Sequence, residues 1–180
     1  MDSKLQIISG AFRGRKLCLP SGARPTQNRA RIALFNMITS LELAPRRVWD
    51  AFAGSGAFGI ECLSRMSDVH VTFTDIAPGC VKKNLAAIGA DSRATVYTAD
   101  ALSRATQIAS ESDLIFIDPP YADADLGAAI IRKIGAVART GAIVIWEQDA
   151  PAAKMPDESV WEILRDKQYG RARFLIMRRR

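Results

Sequence analysis

The sequence predicts an α/β fold: a mostly parallel, seven-stranded sheet with an antiparallel edge strand, and a small N-terminal β-hairpin arm beside it. Three observations predict it. From Val48 onward, short apolar runs alternate with helical patterns, which is the signature of parallel strands joined by helical crossovers. A glycine turn, Gly54-Ser55-Gly56-Ala57-Phe58-Gly59, sits between the first run and the first of these helices. The last two runs follow one another with no helix between them, so they pair antiparallel at one edge.

The elements follow in order. Residues 5–19 alternate loosely around Gly10 and Gly14 and read as a hairpin outside the main sheet, ended by Pro20 and Gly22. Residues 1–25 form this arm and residues 26–180 the main domain. Residues 26–41 form an amphipathic helix with Thr26 as cap, and Ala30, Ala33, Leu34, Met37, Ile38 and Leu41 on its buried face. Strands are expected at 48–52, 70–74, 94–97, 114–117 and 142–146. Helices are expected around 60–65, 78–89, 101–110 and 124–138, with Lys82, Lys83 and Asn84 pointing outward from the second. Residues 159–164 and 173–177 are the closing pair.

Composition narrows the function. The chain has 180 residues, 48% hydrophobic and 24% charged, typical of a globular domain. No apolar run approaches the roughly 20 residues that span a bilayer. The first residues carry no signal-peptide core, so a cytoplasmic address is expected. Cys18, Cys62 and Cys80 have neither metal spacing nor the pattern of a disulfide framework. The single histidine, His70, is given no role, and no metal is expected. The net charge of +6 is localised: residues 1–31 hold seven basic side chains against Asp2 alone. Arg171, Arg173, Arg178, Arg179 and Arg180 add a second basic segment. An acidic body with basic ends suits a polyanionic partner.

The candidate site lies at the carboxyl ends of the strands. Gly54, Gly56 and Gly59 let a ligand approach backbone N–H groups. Asp50 ends the first strand, where an acid fits a ligand with a cationic ammonium group better than it fits a nicotinamide dinucleotide. Asp75 ends the second strand, placed to accept two ribose hydroxyls. Asp100 ends the third and is open to two roles, contact with an adenine amine and helix cap. The fourth strand stops at Asp118-Pro119-Pro120-Tyr121, because two prolines cannot continue a ladder.

Asp-x-Phe-x-Gly-x-Gly, acids on the next two strands, and Asp-Pro-Pro-Tyr together resemble the class I (Rossmann-like) S-adenosylmethionine-dependent methyltransferases acting on amino nitrogens. Ile7-Ile8-Ser9-Gly10, Arg13-Gly14-Arg15-Lys16-Leu17 and Arg24-Pro25-Thr26-x-x-Arg29-x-Arg31-x-x-Leu34-Phe35-Asn36 are similar to the RsmD family. Weaker matches fall at Glu147 and Tyr169-Gly170. The chain departs from that family at Asn28 and Ile32, where acids are usual, and carries Asp75 where the family often has Glu.

The resemblance implies methyl transfer to the N2 amine of a guanine in 16S ribosomal RNA of the small subunit, within an assembled or assembling 30S particle, by a monomer. It implies S-adenosylmethionine as cofactor, held by Asp50, Phe52, Ala53, Gly54, Ser55, Gly56, Asp75, Ile76, Asp100 and Ala101. Asp118 and the Pro119 carbonyl would accept the amine protons, Pro120 would stiffen the turn, and Tyr121 would stack on an extruded base. Arg13, Arg15, Lys16, Arg24, Arg29 and Arg31 would hold RNA phosphates, with Arg24 and Arg29 also open to structural ion pairs. Asp-Pro-Pro-Tyr does not separate guanine from adenine. Adenine-N6 methylation of RNA or DNA, and a non-catalytic RNA-binding assembly factor, therefore remain alternatives.

Overall fold

A strand buried on both faces has to be apolar on both, and Leu114-Ile115-Phe116-Ile117 is: all four residues are buried at the centre of the sheet. The computed structural model describes residues 5–20, 28–120 and 123–180. Arg24, Thr26 and Tyr121 lie outside the described residues. The strands are β1 (Arg47–Asp50), β2 (His70–Asp75), β3 (Ala94–Thr98), β4 (Leu114–Ile117), β5 (Ile143–Asp149), β6 (Trp161–Tyr169) and β7 (Ala172–Arg179). They stand in the order β3-β2-β1-β4-β5-β7-β6. The first five run parallel, and β7 is antiparallel to both of its neighbours. The reversed strand therefore lies one place in from the edge, and β6 forms the edge itself.

The helices are α1 (Asn28–Ser40), α2 (Ala57–Arg65), α3 (Gly79–Ile88), α4 (Ala101–Ala109) and α5 (Ala124–Gly135). α1, α2, α3 and the N-terminal arm share one core with one sheet face; α4 and α5 cover the other. On the first face Phe35, Phe58 and Phe116 stack in series, with ring centroids 5.4 and 4.1 Å apart. That series welds α1 and α2 to the central strand. Gly59 makes the α2 contact possible: a Cβ there would stand 2.4 Å from the Phe73 ring.

The arm pairs as a hairpin, with Ile7 N–H to Arg15 O and Leu17 N–H to Leu5 O, both 2.9 Å. It lies outside the sheet yet does not project from the body. Leu5, Ile7 and Leu17 are buried in the main core. Glu61, buried on α2, accepts the N–H groups of Ile8 at 2.8 Å and Ser9 at 2.9 Å. A carboxylate taken out of water needs such donors.

Strand order reverses between β1 and β4. In open α/β sheets a crevice opens there, outside the carboxyl ends of the strands. Asp50 ends β1, and Asp118 follows the last residue of β4.

Candidate active site

The glycine turn is shaped by backbone that only glycine adopts cheaply. Gly54 has φ 55° and Gly56 φ 77°, both in the left-handed region. Asp75 fastens the turn: one oxygen accepts the Gly54 N–H at 2.7 Å and the other the Ala77 N–H at 2.7 Å. Beside it, Ile76 is 77% exposed, an unusual position for isoleucine and one suited to a flat apolar ligand. Asp100 caps α4, accepting the Ser103 N–H at 2.9 Å, and stays exposed, so the capping role is present in the structure. Ala101, next to it, is buried.

A cavity of about 180 Å³ opens at the sheet's switch point. Its walls come from the arm (Leu5, Leu19, Pro20), α1 (Arg31, Leu34), the turn (Phe52 to Ser55) and the strand ends (Asp50, Asp118, Glu147, Phe174). The strand register explains the acids. Asp50 faces Phe116, and Ile117 faces Trp146, which brings Asp118 beside Glu147 one step further along.

Low dielectric and mutual repulsion perturb these acids. Asp50 is buried, and its carboxyl is pushed up to about 7, chiefly by desolvation. The Gly59 N–H, 3.0 Å from its Oδ2, opposes that rise, and the charges of Asp118 and Asp75 add to it. Asp118 is held well above the ordinary carboxylate range, first by burial and then by the charge of Glu147. Carboxylates with these perturbations, gathered at one cavity, mark a site for cationic or proton-donating ligands.

Two expectations need correction, and the C-terminal segment gains partners. Arg31 is not displayed toward solvent: it is 4% exposed, donates to the Gln6 carbonyl, and lines the cavity. The helical period alone put it on the polar side, whereas the docked arm covers that side. Asn84 does not point outward but is buried. Its amide bonds Cys18 O at 3.1 Å and Ser55 O at 2.8 Å, and it accepts the Cys18 N–H at 2.7 Å, tying the arm to the glycine turn. The C-terminal arginines are engaged within the sheet, Arg171 with Asp149, Arg173 with Asp166 and Arg178 with Glu162, at 2.5, 2.6 and 3.3 Å. Arg179 and Arg180 donate to the carbonyls of Gly135 and Glu158, so three of these five arginines are paired with acids. Arg13, Arg15, Lys16 and Arg29 are exposed as expected.

The structure adds two features that sequence spacing hid. Glu147 is buried beside Asp118, where the sequence marked it only as a weak match. Cys18 and Cys80, 62 residues apart, bring their sulfurs to 2.8 Å. Among the described residues no cluster of three or more metal-ligating side chains forms, and no helix is long and apolar enough to cross a membrane.

Comparison with known proteins accords with this geometry. A family described as conserved hypothetical protein 95 matches residues 5–178. Ribosomal RNA small subunit methyltransferase D of Escherichia coli is 36% identical over 125 residues, 67% of this chain and 62% of the relative, so the match spans under two thirds of that protein. YlbH of Bacillus subtilis, provisionally named an rRNA methyltransferase, is 38% identical over 135 residues, 70% of this chain and 72% of its own. The solved structure of yhhF from Escherichia coli, a provisionally named methyltransferase, superposes with a TM-score of 0.81 at 29% identity, covering 98% of each chain. The fold is that of the class I methyltransferases.

Proposed function

This chain belongs to the conserved hypothetical protein 95 family, the RsmD family of its motifs, and from that premise we propose that it methylates the N2 amine of a guanine in small-subunit (16S) ribosomal RNA, using S-adenosylmethionine. One observation carries the reading: Asp118 borders the same cavity as the glycine turn and the buried Asp50.

The cofactor fits the residues present. The open glycine turn offers backbone N–H groups, Asp75 stands at the ribose position, exposed Ile76 gives the adenine an apolar face, and Asp50 awaits a cation. When bound, S-adenosylmethionine supplies an electrophilic methyl group on a sulfonium. The protein's own work is positioning. A guanine amine is a poor nucleophile because its lone pair is delocalised into the ring. The Asp118 carboxylate and the Pro119 carbonyl each accept one of its N–H groups, which draws the nitrogen toward tetrahedral geometry and frees the lone pair. Pro119 and Pro120 keep those acceptors fixed, so little reorganisation is required. Tyr121 is assigned the stacking surface for the extruded base. Exposed Arg13, Arg15, Lys16 and Arg29 bind phosphates, with Arg24 assigned the same role. The division into an arm, 1–25, and a catalytic domain, 26–180, the cytoplasmic setting, the monomeric state and a 30S particle as substrate belong to the same proposal.

The test is transfer of labelled methyl to small-subunit RNA, free and in particles, followed by nucleoside digestion. N2-methylguanosine is expected, with Asp118→Ala lowering kcat/KM by at least about 100-fold. N6-methyladenosine in the digest would overturn the substrate. Cofactor binding with no turnover on any RNA would overturn the enzyme in favour of an assembly factor.

A further inference from the structure

We propose that Glu147 is the residue that selects guanine, by accepting the N1–H of the target base while Asp118 accepts from its N2 amine. The inference rests on the guanine reading above and supplies what Asp-Pro-Pro-Tyr lacks, a reason to prefer guanine over adenine.

The geometry begins with register. Phe116 pairs with Ile145 and Ile117 with Trp146 across β4 and β5. Side chains alternate along a strand, so Asp118 and Glu147 fall on the face that carries Phe116 and Ile145. Neighbouring strands stand about 4.8 Å apart, so the two side chains are close enough to converge on one edge of a base. Both line the main cavity. Glu147 also borders the depression formed by Pro119 and Pro120, so it stands between the cofactor side and the diproline.

A buried acid is expensive, and two side by side are more so. Glu147 is 1% exposed and its charge already acts on Asp118. A ligand edge with two neighbouring donors suits two neighbouring carboxylates. Guanine has that edge: N1–H next to the N2 amine. Adenine offers its N6 amine next to the N1 lone pair, which would face a carboxylate with no proton between them. An enzyme that acts on an extruded base reads it through this edge. A site that aims a carboxylate at a donor strongly rejects an analogue that presents a lone pair there.

The experiment uses the full chain, S-adenosylmethionine, and ligated small-subunit RNA. The target guanosine, located by product digestion, is kept or replaced by 2,6-diaminopurine, which retains the 2-amine but presents a lone pair at N1. The wild type should favour guanine by at least about 100-fold in kcat/KM. Glu147→Gln, which can donate to N1, should narrow that ratio at least about tenfold, whereas Glu147→Asp should keep its direction. A role in folding alone would lower both rates and leave the ratio unmoved. Equal use of the two bases by the wild type overturns the inference, even if Glu147→Gln fails to fold. So does an unchanged ratio in a folded Glu147→Gln. Absence of any guanine-N2 methylation by the wild type would instead sink the underlying function.

Discussion

Glu61 on α2 holds the backbone of Ile8, 53 residues earlier, at 2.8 Å, and takes the next N–H, of Ser9, on its other oxygen. Arg65, one turn on, closes the group at 2.7 Å and lies over the Phe35 ring, 4.5 Å from its centroid. One buried carboxylate thus fixes the arm to the domain. An amide at position 61 can accept from only one of the two backbone donors, and it leaves Arg65 without its counter-charge. Glu61→Gln should therefore cost about 3 kcal/mol in urea unfolding and expose the arm to proteolysis before the sheet. A loss under about 0.5 kcal/mol would show that the arm's other contacts, among them Asn84 to Cys18, hold it without Glu61.

That contact also marks how far the sequence could be read. Strand positions were legible because fully buried strands must be apolar: residues 114–117 were expected and found as β4. The site's acids were legible because each ends a strand. What the sequence hid was tertiary cover. Arg31 lies where a helical wheel puts solvent, but a hairpin folds over it. Asn84 follows two exposed lysines and reads as surface, yet it satisfies its amide on Cys18 and Ser55. Glu147 follows the apolar run 142–146 and reads as a solvated strand end, and only its register beside Asp118 gives it meaning. Contacts between residues 25 or more positions apart leave no periodic trace.

The role proposed for Asp50 makes cofactor binding depend on pH in a definite direction. Its carboxyl, raised to about 7 by burial, is largely protonated below that pH in the free protein. A cationic ligand favours the ionised form, so binding releases a proton there. Affinity for S-adenosylmethionine should rise with pH by up to about tenfold per unit below pH 7 and level off above it. The charges of Asp118 and Asp75 raise the Asp50 carboxyl further, and Asp118, Glu147 and Arg31 line the same cavity. Calorimetric titration between pH 5.5 and 8.5 reads the slope; Asp50→Asn should bind more weakly and flatten it. A wild-type affinity independent of pH would remove Asp50 from the ligand's ammonium group.

Cys18 and Cys80 join the arm to the start of α3, next to the turn that Asp75 fastens. With sulfurs 2.8 Å apart, they should cross-link readily when an oxidant such as oxidised glutathione accepts the two electrons and leaves as two thiols. Mass spectrometry of a tryptic digest should find an intramolecular disulfide between them and none involving Cys62, which is fully buried. Separate glutathione adducts on both residues would mean the two thiols do not meet in solution.

Gly127 couples the second core to the diproline turn. It lies on α5 against β5, where an added Cβ would stand 2.7 Å from Trp146 Nε1 and 3.1 Å from Pro119 Cγ. The overlap with Trp146 forces α5 or the indole to move, and Pro119, against the same Cβ, is displaced with it. Pro119 supplies one of the two acceptors proposed for the amine, and displacement by a few tenths of an ångström spoils the alignment more than it harms folding. Gly127→Ala should lower stability by about 1–3 kcal/mol and kcat by roughly tenfold or more, while cofactor affinity stays within about twofold. The contrast between kcat and affinity is the informative part. A variant that loses both equally would show that α5 supports the whole cleft, and one that loses neither would show that the diproline tolerates displacement and is not the fixed acceptor required here.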